Sequence, residues 1–187
     1  MTHTVLRTER LHLRRFTPDD AENLFALDSD PEVLRYVGPR PAADPEGYRE
    51  RIVSVYLPMY GRDPGLGYWA VEDRGAFVGW VHFRPAALGH FPGLLEYAPD
   101  DIELGYRLVR SVWGRGYATE VARAVVRRGF EETGVETVVA SALQSNAASL
   151  RVLEKAGLER VAKLYPLPGY DAPAVKFVTT RTRYARR

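Results

Sequence analysis

Residues 102–130 read IELGYRLVRSVWGRGYATEVARAVVRRGF, and this stretch decides the fold. The apolar pattern of residues 102–109 predicts a strand, and that of residues 117–133 predicts a helix with one apolar face. The loop between them, Gly114-Arg115-Gly116, would leave several backbone N–H groups free at the positive end of the helix dipole. Such a loop can hold a phosphate group, although a glycine pair before a helix is more often a simple turn.

The chain on either side alternates between predicted strands and helices, which is typical of the α/β (α+β) class. Two aromatic, β-branched runs, residues 68–71 and 77–83, are separated by Glu72-Asp73-Arg74-Gly75 and predict a hairpin. Further strands are predicted at residues 9–15, 138–140 and 175–184, and helices from Thr17, over 48–60 with an end near Pro58, and over 146–156. Residues 84–100 predict a long loop, and loops of this size are typically functional or mobile.

The composition bounds the class of protein. With 187 residues, 45% of them hydrophobic and 27% charged, the chain fits one globular domain over residues 1–187. It has no cysteine, which excludes disulfides, thiolate metal sites and a cysteine nucleophile. The polar N-terminus and the lack of a long apolar run predict neither a signal peptide nor a membrane span, so we expect a cytoplasmic protein.

Charged and metal-ligating residues give weaker signals. The formal net charge is only +2, although four arginines lie near the C-terminus: Arg181, Arg183, Arg186 and Arg187. Such a run can bind RNA, but a solvated tail is the simpler interpretation, and we expect no direct nucleic-acid binding. The four histidines lack the spacing of metal ligands, so no metal site is predicted: His3, His12, His82 and His90.

Several stretches together resemble the acetyl-CoA signature of the GNAT superfamily of N-acetyltransferases. They are Glu103-Leu104-Gly105-Tyr106, Trp113-Gly114-Arg115-Gly116-Tyr117-Ala118-Thr119-Glu120, and Asn146 through Gly157 (NAASLRVLEKAG). Thr8-Glu9-Arg10-Leu11 and Asp30-Pro31-Glu32-Val33 extend the resemblance to the RimJ/RimL-like branch, which acetylates ribosomal proteins at their N-terminal α-amines. Trp113 stands where the general motif (Q/R)xxGx(G/A) has Gln or Arg, while Gly116 and Ala118 match it.

The resemblance implies a GNAT-like fold with a central twisted mixed sheet of about seven strands flanked by helices. Two parallel central strands, near residues 102–109 and 137–143, would splay apart to admit pantetheine, within an acetyl-CoA-binding core of about residues 101–158. It also implies that acetyl-CoA is the co-substrate, with no metal, and that its pyrophosphate sits on N–H groups of residues 115–119. The implied cofactor-binding residues are Leu108, Val109, Gly114, Arg115, Gly116, Ala118, Thr119, Asn146 and Ser149.

The resemblance also suggests catalytic residues. Glu103 is the candidate general base, through a water molecule, and the alternative is a structural carboxylate. Ser149 is the candidate acid for the departing thiolate, and the alternative is a helix-surface serine whose N–H is capped by Asn146. With no cysteine present and a strand N–H near Leu108 to polarise the carbonyl, we expect direct transfer without an acyl-enzyme.

The acceptor is predicted to be the N-terminal α-amine of a protein, because an α-amine has a pKa of about 7.7–8.0 against about 10.4 for lysine. One alternative is a small amine, such as a polyamine or aminoglycoside, held by an acidic pocket of Glu96, Asp100 and Asp101. Another is an acyl-CoA-binding module without catalysis. Four aromatic residues are candidates for either the acceptor pocket or the core: Tyr56, Tyr60, Trp69 and Trp80. The chain would be a monomer or a homodimer.

Overall fold

The computed structural model of the chain describes residues 3–37, 44–63, 65–89 and 93–186. The chain forms two compact units: unit 1 consists of Met1–His82 and Tyr106–Val121, and unit 2 of Phe83–Gly105 and Ala122–Arg187. His90, Arg187 and part of the predicted loop at 84–100 lie outside the described residues. The expectation of one domain over residues 1–187 stays a prediction.

The described residues form a sheet of eight strands in the order β1-β2-β3-β4-β5-β6-β8-β7. The strands are β1 (Thr4–Arg7), β2 (Leu11–Arg15), β3 (Gly67–Asp73), β4 (Ala76–Pro85), β5 (Ile102–Leu108), β6 (Thr137–Leu143), β7 (Glu159–Tyr165) and β8 (Ala174–Thr180). The predicted mixed α/β class is therefore confirmed. The sheet has one strand more than the expected number of about seven, and neither β1 nor β7 was anticipated as an element.

The sheet of unit 1 is built around the predicted hairpin. β2 pairs antiparallel with both β1 and β3, with Leu11 opposite Asp73 and Arg15 opposite Trp69. β3 and β4 are joined by Arg74 and Gly75, and both residues have positive φ, 51° and 84°. This is the backbone of a two-residue hairpin turn, so the hairpin prediction is confirmed.

The helices of unit 1 begin at the capping residues that the sequence indicates. Thr17 and Asp20 form a capping box at a short 3-10 turn, Pro18–Asp20, which leads into α1 (Ala21–Asp28). Asp30 caps α2 (Pro31–Leu34) by accepting from Glu32 N–H, and Asp44 caps α3 (Pro45–Arg51) by accepting from Gly47 N–H. In each case a proline occupies the first helical turn, where no N–H is needed.

The prediction that the second helix ends near Pro58 is wrong. α3 continues through a π-helical turn, Ile52–Tyr56, into α4 (Leu57–Arg62). Leu57 N–H donates to the carbonyl of Ile52, five residues earlier. A proline lacks the N–H that an α-helix needs, but the wider turn changes the hydrogen-bond pattern just before Pro58, and the chain stays helical.

The core of unit 1 is aromatic. Tyr60 donates its hydroxyl hydrogen to the Tyr68 carbonyl and accepts from Phe16 N–H at 3.0 Å. The rings of Tyr56 and Tyr68 stack with centroids 4.1 Å apart. Tyr56, Tyr60 and Trp69 are thus buried core residues, whereas Trp80 is only partly buried against the same cluster. Burial also raises the pKa of the Tyr60 phenol above its ordinary value.

A buried ion-pair network lies beside this core. The guanidinium of Arg14 donates to both carboxylate oxygens of Asp20, each at 2.7 Å, and to Glu72 at 2.5 Å. Asp20 is 2% exposed. Burial opposes its ionised form, but the hydrogen bonds from Arg14 and Thr17 outweigh this and lower the pKa of Asp20.

The parallel pairing in unit 2 matches the predicted splay. β5 pairs with β6 at Ile102↔Val138 and Glu103↔Val139, and within unit 2 the described ladder does not continue to Leu104 or Gly105. β6 pairs with β8 along its whole length, from Thr137↔Thr180 to Leu143↔Ala174. β8 pairs in turn with β7, where the register is irregular between Arg160 and Leu164.

The remaining helices are α5 (Tyr117–Glu132), which runs through both units, α6 (Ala147–Lys155) and α7 (Arg181–Tyr184). The last strand was predicted to reach Tyr184 but ends at Thr180, whose hydroxyl accepts from Arg183 N–H to cap α7. Arg181 donates to the carbonyls of Phe130 and Val135. Arg181, the first arginine of the C-terminal run, is thus bound inside unit 2 instead of extending into solvent, and the strand ends just before it.

The described parts of residues 84–100, 84–89 and 93–100, are less irregular than predicted. β4 extends to Pro85, and Ala86–Leu88 form a 3-10 turn. Ala86 N–H donates to the Asp101 carbonyl at 2.8 Å, and Leu95 is buried. In the part of the chain that the structure describes, no helix has the length and apolar character needed to span a bilayer.

Candidate active site

The loop between β5 and α5 has the backbone of an anion-binding site. Gly114 and Gly116 have φ of 76° and 82°, a left-handed conformation that glycine adopts without strain. The first bond of α5 runs from Glu120 N–H to the Gly116 carbonyl at 3.0 Å. The N–H groups of the three residues that open the helix, Tyr117–Thr119, therefore have no intrahelical acceptor. The preceding loop residues, Gly114–Gly116, are exposed, and free N–H groups at a helix N-terminus can bind a phosphate.

The start of this loop is held against β5. A 3-10 turn, Arg110–Val112, follows the strand. The indole Nε1 of Trp113 donates to the Leu108 carbonyl at 2.8 Å, although the side chain remains largely exposed. Trp113, which departs from the general motif, thus anchors the loop to the strand that precedes it.

The Glu120 carboxylate is held by residues 8–10, and the sequence alone did not indicate a role for this group. Oε1 accepts from the Thr8 hydroxyl at 2.5 Å and from Arg10 N–H at 2.9 Å. Oε2 accepts from Arg10 Nε at 2.7 Å and forms an ion pair with Nη2 at 2.6 Å. Burial opposes the ionised form, but these hydrogen bonds outweigh it and lower the pKa of Glu120.

Two further contacts join the same group to the loop. Arg10 Nη1 donates to the Arg115 carbonyl at 2.8 Å, and its guanidinium lies 4.5 Å from the centre of the Tyr117 ring. The Tyr117 hydroxyl donates to Asp73 at 2.7 Å. The polar motif Thr8-Glu9-Arg10 was the available signal, but its partners lie more than a hundred residues away in sequence and could not be assigned.

The backbone of β5 has one edge bonded to β4. Val109, a candidate cofactor-binding residue, donates its N–H to the Val78 carbonyl at 3.0 Å, so this N–H already has an acceptor within the protein. In an antiparallel ladder alternate residues face the partner strand. Regular alternation would turn the N–H of Leu108 away from β4, and its role in polarising a ligand carbonyl stays a prediction.

Glu103, the candidate base, lies in unit 2 and is ion-paired. Arg84 Nη2 donates to Glu103 Oε2 at 2.8 Å, and the Arg84 side chain is only 3% exposed. An adjacent guanidinium stabilises the ionised carboxylate, which is the form that accepts a proton. The ion pair is compatible with the alternative of a structural carboxylate, and the base role stays a prediction.

Asn146 and Ser149 also lie in unit 2. The Asn146 side-chain oxygen accepts from Ser149 N–H at 3.1 Å and caps α6, which is the structural alternative considered for this pair. Both side chains are half-buried. Capping uses the Ser149 backbone, and the acid role of its hydroxyl stays a prediction.

Unit 1 also contains a cavity of about 700 Å³. It is lined by residues of α1, by Asp30 and Val33, by Phe77 of β4, and by the chain that follows β5: Asn23, Ala26, Leu27, Asp30, Val33, Phe77, Val109, Arg110 and Ser111. The lining has one acid, Asp30, and one base, Arg110, together with two neutral polar residues, Asn23 and Ser111, and five apolar ones. Such a lining suits a small ligand that carries both a positive and a negative charge, or one that carries no charge.

The other sequence candidates have structural partners. Glu96 forms an ion pair with Lys163, and Asp101 accepts from Ala98 N–H at 2.9 Å, so two of the three acids suggested for an acidic pocket, Glu96, Asp100 and Asp101, have partners within the protein. His12 contacts Glu72, and His82 stacks on Trp80. Among the described residues no group of three or more acids and histidines could hold a metal ion.

Two basic residues of the C-terminal run are also bound within unit 2. Arg181 pairs with Glu136 at 2.8 Å and Arg183 with Glu159 at 2.9 Å. These contacts neutralise part of the charge that an RNA-binding tail would need.

The sequence profile of the Acetyltransferase (GNAT) domain matches residues 10–159. The chain belongs to the GNAT acetyltransferase family. A relative from Aspergillus fumigatus, FsC-acetyl coenzyme A-N(2)-transacetylase, is 33% identical over 188 residues, covering 97% of this chain and 78% of the relative. The GNAT chain is thus an N-acetyltransferase that uses acetyl-CoA as its acetyl donor.

Solved structures agree with this assignment. The aminoglycoside acetyltransferase AAC(6')-Ib in complex with coenzyme A is 25% identical, with a TM-score of 0.73, covering 94% of this GNAT chain and 98% of its own. RimL, a ribosomal L7/L12 alpha-N-protein acetyltransferase in complex with coenzyme A, is 14% identical, with a TM-score of 0.73 and coverages of 95% and 98%. The second likeness is one of fold alone.

Proposed function

We propose that this GNAT enzyme acetylates the α-amine of a small amino-acid-like molecule. The observation that carries the proposal is the cavity of about 700 Å³ with Asp30 and Arg110 in its lining. Its volume lies within the range of about 300–1,000 Å³ that small-molecule sites occupy. Asp30 can accept from an ammonium group and Arg110 can bind a carboxylate, so the two together suit a molecule that carries both.

The comparisons support an acceptor of this kind. The Aspergillus relative is named for transfer to N(2), and AAC(6')-Ib acts on aminoglycosides, which are small molecules. An aminoglycoside or polyamine is less suited to this cavity, because several positive charges would meet Arg110 and a single acid. The α-amine itself has a lower pKa than other amines, about 7.7–8.0, and needs less help to lose its proton.

Acetyl-CoA would bind unit 1 through the loop after β5. The N–H groups of residues 115–119 would hold the pyrophosphate, with Arg115 adding charge and Thr119 a hydroxyl. Gly114, Gly116 and Ala118 have small side chains or none, so a phosphate can approach the backbone closely. Leu108 N–H would bind the donor's carbonyl, and the adjacent Val109 would contact the ligand through its side chain.

Glu103 and Ser149 would serve the chemistry. Glu103 would take a proton from the amine, through a water molecule, and the amine nitrogen would then attack the thioester carbon. The carbon–sulfur bond breaks, and Ser149 would donate a proton to the departing thiolate, with Asn146 holding the turn that carries it. With no cysteine in the chain, no thioester with the protein forms.

A second candidate acceptor is the N-terminal α-amine of a protein. It is favoured by the match of Thr8-Glu9-Arg10-Leu11 and Asp30-Pro31-Glu32-Val33 to the RimJ/RimL-like branch. Such an acceptor shares the α-amine but lacks the free carboxylate, so Arg110 would have no partner beside the amine.

A thiol-release assay with a panel of amines tests the proposal. We expect turnover of small amino acids, less of short peptides beginning with Ser or Ala, and little of spermidine or kanamycin. Preference for the peptides would establish the second candidate, and preference for the polycations would overturn both. No release with any amine, despite tight acetyl-CoA binding, would indicate a binding module without catalysis.

A variant pair locates the acceptor. Asp30→Asn should raise the KM for the amine by about tenfold, through loss of a charge-assisted hydrogen bond, and leave the KM for acetyl-CoA unchanged. Asp44→Asn is the matched control, because Asp44 also caps a helix and asparagine caps as well as aspartate. Equal effects of the two changes would place the acceptor elsewhere.

A further inference from the structure

Arg10 makes a set of contacts that ties the loop after β5 to the start of β2. Its Nε and Nη2 atoms are paired with Glu120, its Nη1 donates to the Arg115 carbonyl, and its guanidinium lies over Tyr117. Thr8 binds the same carboxylate. All of these residues belong to unit 1. We name Thr8, Arg10 and Glu120 the loop clamp.

The contact with Arg115 fixes the direction of one peptide group. In a planar trans peptide the C=O and the following N–H point in opposite directions. Because the Arg115 carbonyl points at Arg10, the N–H of Gly116 points to the other side of the loop. This N–H stands directly before those of Tyr117–Thr119, which the helix leaves without acceptors.

Without the clamp this peptide would have little to hold its orientation. Gly114 and Gly116 flank it with φ of 76° and 82°, and glycine moves easily between backbone regions that other residues avoid. The charge of Arg10 is itself largely neutralised by Glu120 at 2.6 Å. The contribution of Arg10 to anion binding is therefore one of orientation.

We propose that Arg10 is a positioning residue for the pyrophosphate of acetyl-CoA, which it serves by holding the Arg115–Gly116 peptide with its N–H toward the phosphate. This rests on the placement of the pyrophosphate on residues 115–119 under the proposed function. Glu120, which also accepts from Thr8, holds the Arg10 side chain in the conformation that reaches the Arg115 carbonyl.

The test compares two acetyl donors on the same protein preparation. S-acetylpantetheine carries the thioester but no pyrophosphate, so it cannot respond to the loop. Arg10→Ala should lower kcat/KM for acetyl-CoA by about tenfold, the loss of one charge-assisted hydrogen bond, and leave kcat/KM for S-acetylpantetheine unchanged. The result is the ratio of the two kcat/KM values for one preparation. A loss of folded protein lowers both values equally and leaves this ratio unchanged.

The Arg10→Lys variant tests the orientation of the Arg115–Gly116 peptide separately from the ion pair with Glu120. A lysine ammonium can still pair with Glu120, but it lacks the planar fork that binds Glu120 and the Arg115 carbonyl together. We expect it to keep the melting temperature near the wild-type value and to show the same tenfold loss for acetyl-CoA alone. Wild-type affinity in Arg10→Lys, or equal losses with both donors in Arg10→Ala, would overturn the proposal.

Two further variants distinguish a wrong placement of the pyrophosphate from a wrong role for Arg10. Arg62→Ala removes an exposed arginine paired with Asp63 and should leave the ratio of the two donors unchanged. Arg115→Ala removes a charge from the loop itself and should lower the ratio. If neither Arg115→Ala nor Arg10→Ala changes the ratio, the pyrophosphate is not on this loop. If only Arg115→Ala does, the loop placement stands and the role of Arg10 is refuted.

Discussion

Glu103 has a structural partner in addition to the chemical role proposed for it. Its carboxylate is bound to a buried guanidinium, Arg84, at 2.8 Å. Removing one partner of such a pair leaves an uncompensated buried charge, and this alone destabilises a protein. Activity loss in a Glu103 variant is therefore insufficient to establish a base, and the pH dependence of the rate is the more informative measurement.

Glu103→Gln should lower kcat/KM by about 10²–10⁴, the usual contribution of a general base, and remove the acid limb of its pH profile. The decrease of the rate at low pH disappears because the variant no longer has the Glu103 carboxylate, which must be ionised to accept a proton. Steady-state rates from pH 5 to 9 measure this, with Glu136→Gln as the control at an exposed, arginine-paired glutamate of the same unit. A lowered melting temperature with the acid limb intact would assign Glu103 a structural role only.

At the scale of elements, β4 and β5 approach closely at Gly79. A Cβ atom at this position would lie 2.2 Å from the Arg107 carbonyl oxygen and 2.7 Å from the Leu108 Cα. Both are backbone atoms of β5, so they cannot move aside as a flexible side chain would. The strand that presents Leu108 N–H is thus set in place by the absence of a side chain on its neighbour.

Gly79→Ala should destabilise the protein by about 2–4 kcal/mol, since the added methyl group must separate the two strands and the backbone φ of 145° is strained for alanine. Urea unfolding measures the change. Gly61→Ala is the matched control, because Gly61 lies in α4 and a methyl group added there would have no atom within 4 Å among its described surroundings. It should be neutral or stabilising by up to about 1 kcal/mol. Similar results for both would remove the close approach as an explanation.

Elements whose signals are local could be predicted, and those that depend on distant contacts could not. The turn at Arg74-Gly75 and the caps at Thr17 and Asn146 are encoded in a few neighbouring residues, and all three are present. The π-helical turn before Pro58 is set by packing. β7 has exposed residues on both faces, so it lacks the alternation that marks a strand.

The candidate site divides in the same way. The loop at residues 114–116 and the family follow from contiguous motifs, and the family is confirmed. The partners of Arg10 and Glu103 depend on which strands become neighbours, and a pair such as Arg10 and Glu120 is separated by 110 residues. The cavity of unit 1 likewise draws on segments that are far apart in sequence.

At the scale of the whole molecule, the pH dependence of stability should reflect Asp20. Its pKa is lowered in the folded state, so its contribution is complete above the unfolded value of about 3.9 and is lost as the pH falls through the lower, folded value. Asp20→Asn should cost about 1.5–3 kcal/mol at neutral pH, because Arg14 loses its hydrogen bonds to one charged carboxylate and keeps the one to Glu72.

The difference between wild type and Asp20→Asn should be constant above about pH 5 and shrink as the pH falls below about 4. Urea unfolding at a series of pH values measures it. Asp19→Asn, at the neighbouring and more accessible position, should change stability little at any pH. A difference that persists undiminished at low pH would show that the carboxylate charge is not what stabilises this network.

The outer strand β7 has a consequence for how the molecule behaves in concentrated solution. A straight, apolar strand at the end of a sheet is a template for aggregation, because its unpaired N–H and C=O groups can accept a strand from another molecule. β7 instead carries Glu159, Arg160 and Lys163 and has an irregular register between Arg160 and Leu164. The charged side chains and the irregular register make this edge a poor template for pairing with a strand of another molecule, even though no further strand covers it in the described residues.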